Sequence, residues 1–140
     1  MNTLERIQTA TAPAPSGHYS QATVHNDLVF VSGQLPTRPD GGESSRAFEA
    51  QVHQALSNLF EILRAADSGP EQVLKVTAFL VGIENWPVFN RIFGAAFGEA
   101  RPARSVMPVP HLYDGFLIEI EAVAVRRAPA RVAERAQSEP

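Results

Sequence analysis

Phe116-Leu117-Ile118-Glu119-Ile120-Glu121-Ala122, preceded by Pro102-Ala103-Arg104-Ser105, decides how this chain folds. Side chains of an extended strand alternate between its two faces. Phe116, Ile118, Ile120, Ala122 and Ala124 then share one face; Leu117, Glu119, Glu121, Val123 and Val125 share the other. The first set is purely apolar and fits a sheet face packed on helices. The second mixes two carboxylates with large aliphatic side chains, which a freely solvated face does not need. Such a face is expected to be covered by another subunit, with a polar site inside it. Arg104 stands alone at the start of the preceding strand. The two strands are expected to join through a short hairpin near Asp114-Gly115, a dipeptide that favours a turn with positive φ.

Val73 to Val81 repeats the pattern. Leu74, Val76, Ala78 and Leu80 fall on one face, and Val73, Lys75, Thr77, Phe79 and Val81 on the other. Nearer the N-terminus, Asp27-Leu28-Val29-Phe30-Val31-Ser32 is rich in β-branched and aromatic residues and reads as a strand. Pro36, Pro39, Asp40, Gly41 and Gly42 break the chain after it. Ser44 or Ser45 can cap a helix that runs about five turns through Phe48, Val52, Ala55, Leu56, Leu59, Phe60 and Leu63. Ser68-Gly69-Pro70 stops it. Asn85 is expected to cap a second helix carrying Trp86, Phe89, Asn90, Phe93 and Phe97, with Gly98 ending it.

The resulting order is strand, strand, helix, strand, helix, strand, strand. Helices on one face of a mixed sheet give an α+β, two-layer sandwich. Closing the mixed face against further copies would bury its aliphatic part, so a ring-like homo-oligomer is expected.

Composition narrows the function. A chain of 140 residues, 44% hydrophobic and 19% charged, makes one globular domain. Residues 1–127 are read as that domain, and 128–140 as a tail that frays. A net charge of -3 gives no broad attraction to nucleic acid or anionic membrane. No apolar run approaches a membrane span. Met1 to Arg6 lacks the basic and apolar regions of a signal peptide, so a cytoplasmic location is expected. Without cysteine there is no disulfide, thiolate site or cysteine nucleophile. His18, His25, His53 and His111 have no metal-ligand spacing, and no metal or other cofactor is expected.

Six pieces of the chain resemble one family. They are Gly17-His18-Tyr19-Ser20-Gln21-Ala22, Val31-Ser32-Gly33-Gln34-Leu35-Pro36, Val73-Leu74-Lys75-Val76-Thr77, Asn90, Pro102-Ala103-Arg104-Ser105 and Ile118-Glu119-Ile120-Glu121-Ala122-Val123-Ala124. In this order and spacing they are similar to the RidA or YjgF-like reactive intermediate deaminases, over nearly the whole length. The resemblance implies a chorismate-mutase-like fold and a homotrimer with ligand sites in clefts between subunits. It implies that Arg104 pairs with a substrate carboxylate and that Glu119 positions the attacking water. Tyr19, Ser32, Gly33 and Asn90 match residues that line or shape the cleft. Val106 stands in the pocket wall where many deaminases of the family have cysteine. His18 replaces a frequent proline, and Met107 to Tyr113 differs from the usual loop.

Each residue also has an ordinary reading. An arginine is most often a surface ion-pair partner, worth little. A guanidinium fork, however, fits a carboxylate with two parallel bonds. Glu119 and Glu121 could form a solvated edge, with Glu121 paired to Lys75, the only lysine of the chain. A Schiff base at Lys75 is the less favoured alternative to such a pair. With the resemblance added, the expected activity is hydrolytic deamination of small 2-imino or enamine acids to the 2-oxo acid and ammonia. A non-catalytic module that binds small carboxylates is the alternative. A ribonuclease is disfavoured by the negative charge and the lack of a basic, aromatic stripe.

Overall fold

The computed structural model describes residues 3–127, so the tail read at 128–140 lies outside the described residues. Six strands form one sheet: β1 (Glu5–Ile7), β2 (Ala22–His25), β3 (Leu28–Gln34), β4 (Val73–Val81), β5 (Ala103–Val109) and β6 (Ile118–Val125). Two helices, α1 (Phe48–Ala65) and α2 (Trp86–Phe97), cover one face of it. The strand order across the sheet is β1-β2-β3-β6-β4-β5. Only β4 and β5 run parallel, and the other neighbours are antiparallel. The α+β, two-layer architecture read from periodicity is therefore the one observed.

The apolar face of β6 packs on the helices as its alternation requires. Ile118, Ile120, Ala122 and Ala124 are buried in one cluster with α1 residues such as Val52, Leu56 and Leu59, and Phe116, just ahead of β6, is buried as well. Burying each such aliphatic side chain stabilises the fold by about 1.5–3 kcal/mol. On the opposite face Phe30 stays 45% exposed, and Leu117, Val123 and Val125 are half-buried with no helix over them.

Four expectations need correction. First, β5 and β6 are not a hairpin. β5 pairs only with β4, while β6 lies between β3 and β4. The β4-α2-β5 segment is a crossover unit, and crossover units make parallel pairs. Asp114 and Gly115 do take positive φ, 56° and 69°, but in a longer connection that returns across β4. Second, Leu74 is 49% exposed while Val73 is buried. The β4–β6 register shifts between Val73 and Lys75, so Leu74 is the extra residue of a β-bulge and faces outward. Third, neither predicted helix cap acts through its side chain. Ala47 occupies the cap of α1, and Ser45 Oγ accepts from Ala47 N at 3.1 Å. Asn85 sits at the cap of α2, yet its Nδ2 donates to Val81 O at 3.0 Å. Fourth, β1 is an additional strand at the N-terminus. The tight turn between β2 and β3 is made by Asn26 and Asp27, both at positive φ.

Candidate functional site

Gly33 and Glu119 meet first. The β3–β6 register shifts between Val31 and Gln34, which places Ser32 and Gly33 in an irregular stretch opposite β6. A Cβ on Gly33 would lie 2.5 Å from Glu119 Oε2 and 3.0 Å from its Cδ. The carboxylate therefore occupies the space that a side chain would fill. Glu119 is half-buried on the helix-free face, registered with Phe79. Burial pushes its carboxyl above the usual glutamate value, and the Glu121 carboxylate adds to the rise. No cation lies within ion-pair distance of it among the described residues.

Tyr19 and Gly33 line one cleft of about 250 Å³, together with Pro13, Gln34, Leu35 and Tyr113. Ser32 builds this cleft instead of lining it. Its Oγ donates to Ser20 O at 2.6 Å and its backbone N–H donates to Gln21 O at 2.9 Å, which ties the Tyr19 segment to β3. Tyr19 OH lies 3.2 Å from Ser16 N, which donates to it.

Arg104, Val106 and Asn90 sit elsewhere. In the parallel β4–β5 pair Arg104 registers with Val76 and Val106 with Ala78, both residues of the helix-covered face. Arg104 is half-buried at the sheet edge, its guanidinium 4.9 Å from the centroid of Phe93 and 5.7 Å from that of Phe89. Rings held this close attract the cation and fix its position. No carboxylate pairs with it among the described residues. Val106 packs against the core, and Asn90 is exposed on α2.

A single chain thus places Gly33 against both the Tyr19 cleft and Glu119, and holds Arg104 with Val106 on the helix-covered face. Arg104 and Glu119 face opposite sides of the sheet. Lys75, His18 and His111 are exposed, and Lys75 makes no ion pair with Glu121.

Sequence reasoning missed the residues that shape the cleft from beneath. Buried Gln21 accepts from Thr9 N at 2.7 Å and donates to Thr9 O and Pro13 O, shaping the segment ahead of Tyr19. Buried Asn58 donates to Leu35 O and Thr37 O at 2.9 and 2.8 Å, holding the loop after β3. Gln51 accepts from Leu117 N at 2.8 Å beside the start of β6. Polar residues inside otherwise apolar helical stripes were the available signal for Gln51 and Asn58.

The fold defines an α+β protein of the kind that the six sequence pieces resemble. The chain belongs to the endoribonuclease L-PSP family, the YjgF/RidA/RutC family, which it matches over residues 9–126. It is 38% identical over 123 residues to a RutC family protein of Pyrococcus horikoshii, covering 87% of this chain and 98% of that one. It superposes on the YjgF protein of E. coli with a TM-score of 0.83 and 36% identity, covering 88% of this chain and 99% of the other. The E. coli TdcF protein, solved with bound serine, gives a TM-score of 0.84 at 32% identity, again over 88% and 99% of the two chains.

Proposed function

We propose that this protein hydrolyses small 2-imino or enamine acids to the 2-oxo acid and ammonia, at a site completed by a second copy of the chain in a homotrimer. The observation that carries the reading is the pair of unpartnered charges. Among the described residues, Arg104 is a fixed cation without a carboxylate, and Glu119 is a desolvated carboxylate without a cation. Natural chains seldom leave either half-buried unless a ligand or a partner answers it. The apolar residues around Glu119 on the helix-free face supply the surface that a second copy would cover.

The chemistry follows from the two groups. Arg104 holds the substrate carboxylate with two parallel hydrogen bonds, which also orients the adjacent C=N bond. Glu119 accepts a proton from water as the oxygen attacks the imine carbon. Glu119 returns that proton to the nitrogen, giving the carbinolamine. Transfer of the carbinolamine's hydroxyl proton to the amine through the same carboxylate lets the C–N bond break, releasing ammonia and leaving the C=O of the 2-oxo acid. A raised carboxyl value makes Glu119 a stronger base than a solvated glutamate. Such imines hydrolyse in water unaided, so the site contributes mainly orientation and desolvation. No residue at position 106 is required for these steps, so Val106 shapes the wall without entering the chemistry.

The same arginine half-site would serve a carrier or sensor of small carboxylates. The serine bound to the E. coli TdcF protein, a small carboxylic acid, keeps that second reading in view. Glu119→Gln separates the two. Imines are generated in situ by an amino acid oxidase, and 2-oxo acid release is followed. A hydrolase loses about 10²–10⁴-fold in rate with this change while still binding 2-oxo acids. A wild-type protein that binds 2-oxo acids yet never accelerates hydrolysis is a binder.

A further inference from the structure

We propose that Tyr113, held at the mouth of the cleft by Arg46, selects substrates with apolar side chains; the inference rests on the imine-hydrolysis reading of the same site. The cleft beside Glu119 has no charged side chain in its lining. Its apolar walls are Pro13, Ala14, Leu35, Tyr19 and Tyr113, and the hydroxyl residues Ser16 and Thr37 also line it. Gln21 Nε2 donates to both Thr9 O and Pro13 O, and Gln34 Nε2 gives one of its two N–H groups to Ser32 O, so little donor capacity is left for a ligand. An acidic substrate side chain would meet no counter-charge among the residues that line it. An apolar one would displace water from two aromatic faces.

Tyr113 is 76% exposed, so core packing does not hold it. Its turn is held instead from outside. Arg46 lies just ahead of α1, and its Nη1 donates to Asp114 O at 2.7 Å while its Nη2 donates to Asp114 Oδ2 at 3.2 Å. The same guanidinium stacks 5.1 Å from the centroid of buried Phe116. Within the turn, Phe116 N donates to Tyr113 O and Gly115 N to Leu112 O. One arginine thus fastens both residues that follow Tyr113 or flank its turn, and the ring is left projecting at the cleft. Arg46 is a positioning residue, acting through Tyr113.

The test compares imines made in situ from leucine and from glutamate. The wild type should show the higher kcat/KM on the leucine-derived imine. Tyr113→Ala should lower the leucine-over-glutamate ratio on the order of tenfold, the usual scale for losing a hydrophobic side-chain contact. Tyr113→Phe should keep the ratio. Arg46→Ala should move it in the same direction as Tyr113→Ala, mainly through KM, and Arg46→Lys should move it less. An unchanged ratio in Tyr113→Ala overturns the proposal. If the wild type accelerates neither imine, the hydrolysis reading fails, and the selection is read by calorimetric titration with the 2-oxo acids of leucine and glutamate. A Tyr113-dependent preference for the leucine-derived acid then still upholds the role of Tyr113, and equal affinities in wild type and Tyr113→Ala overturn it.

Discussion

Gly33→Ala should silence the protein without unfolding it. The new methyl would lie 2.5 Å from Glu119 Oε2, 3.0 Å from Cδ and 3.3 Å from Cγ. The carboxylate must retreat by about 1 Å to regain ordinary van der Waals contact. The three nearest atoms all belong to one flexible side chain, so it is Glu119 that must give. Gly33 is not among the positive-φ glycines, so alanine adds no backbone strain. In a strand, alanine should instead stabilise by about 0.5–1 kcal/mol relative to glycine. A misplacement of about 1 Å at a reacting group can cost on the order of 10²-fold in rate. The expected outcome is a melting temperature at or above wild type with imine hydrolysis down by about that factor. The double variant Gly33→Ala/Glu119→Gln should lose little beyond Glu119→Gln alone, since both changes act on one carboxylate. A folded Gly33→Ala protein with the wild-type rate would refute the placement of Glu119 as the group that positions water.

Three further outcomes follow from the same geometry. The rate should fall on the acid side at a higher pH than an ordinary glutamate would give, because Glu119 must be ionised to act as base and burial raises its value. The folded chain holds that proton more tightly than the unfolded one. This stabilising contribution is complete below the ordinary glutamate range and is lost as pH rises through the raised value. Glu119→Gln should therefore gain stability over wild type at neutral pH and not at acid pH, as measured by chemical denaturation. Asn58→Ala should cost about 1–3 kcal/mol for each carbonyl it orphans at Leu35 and Thr37, and should loosen the cleft, as read by hydrogen exchange in that loop. Arg104→Lys should bind 2-oxo acids far more weakly than wild type in calorimetry, because an ammonium lacks the planar fork and the ring contacts with Phe89 and Phe93.

The sheet was legible where alternation is unbroken. Every residue from Phe116 to Val125 lies on the face that its period assigns, and so do Val76 to Val81 of β4. Leu74 escaped because a bulge shifts the period by one residue and leaves no mark in composition. Asp114-Gly115 pointed to a turn and found one, yet a turn does not say which strand comes next in the sheet. That order came from the crossover through α2, a non-local constraint. Tyr19 and Gly33, singled out by resemblance, line one cavity, and Gly33 also lies against Glu119. The opposite-facing placement of Arg104 depends on its register with Val76, which one strand's own pattern does not contain. Gln21, Gln51 and Asn58 answer backbone groups made needy by the fold itself, so their roles emerge only once the fold is known.

Subunit complementation tests the central claim most directly. Arg104→Ala and Glu119→Gln proteins are each assayed for imine hydrolysis, then unfolded together, mixed in equal amounts and refolded. If each site takes Arg104 from one copy and Glu119 from its neighbour, roughly a quarter of the sites in randomly mixed rings regain both groups. The mixture should then recover about that fraction of the wild-type rate, far above either parent. A mixture no more active than the two variants assayed apart would contradict a hydrolytic site shared between copies of this chain.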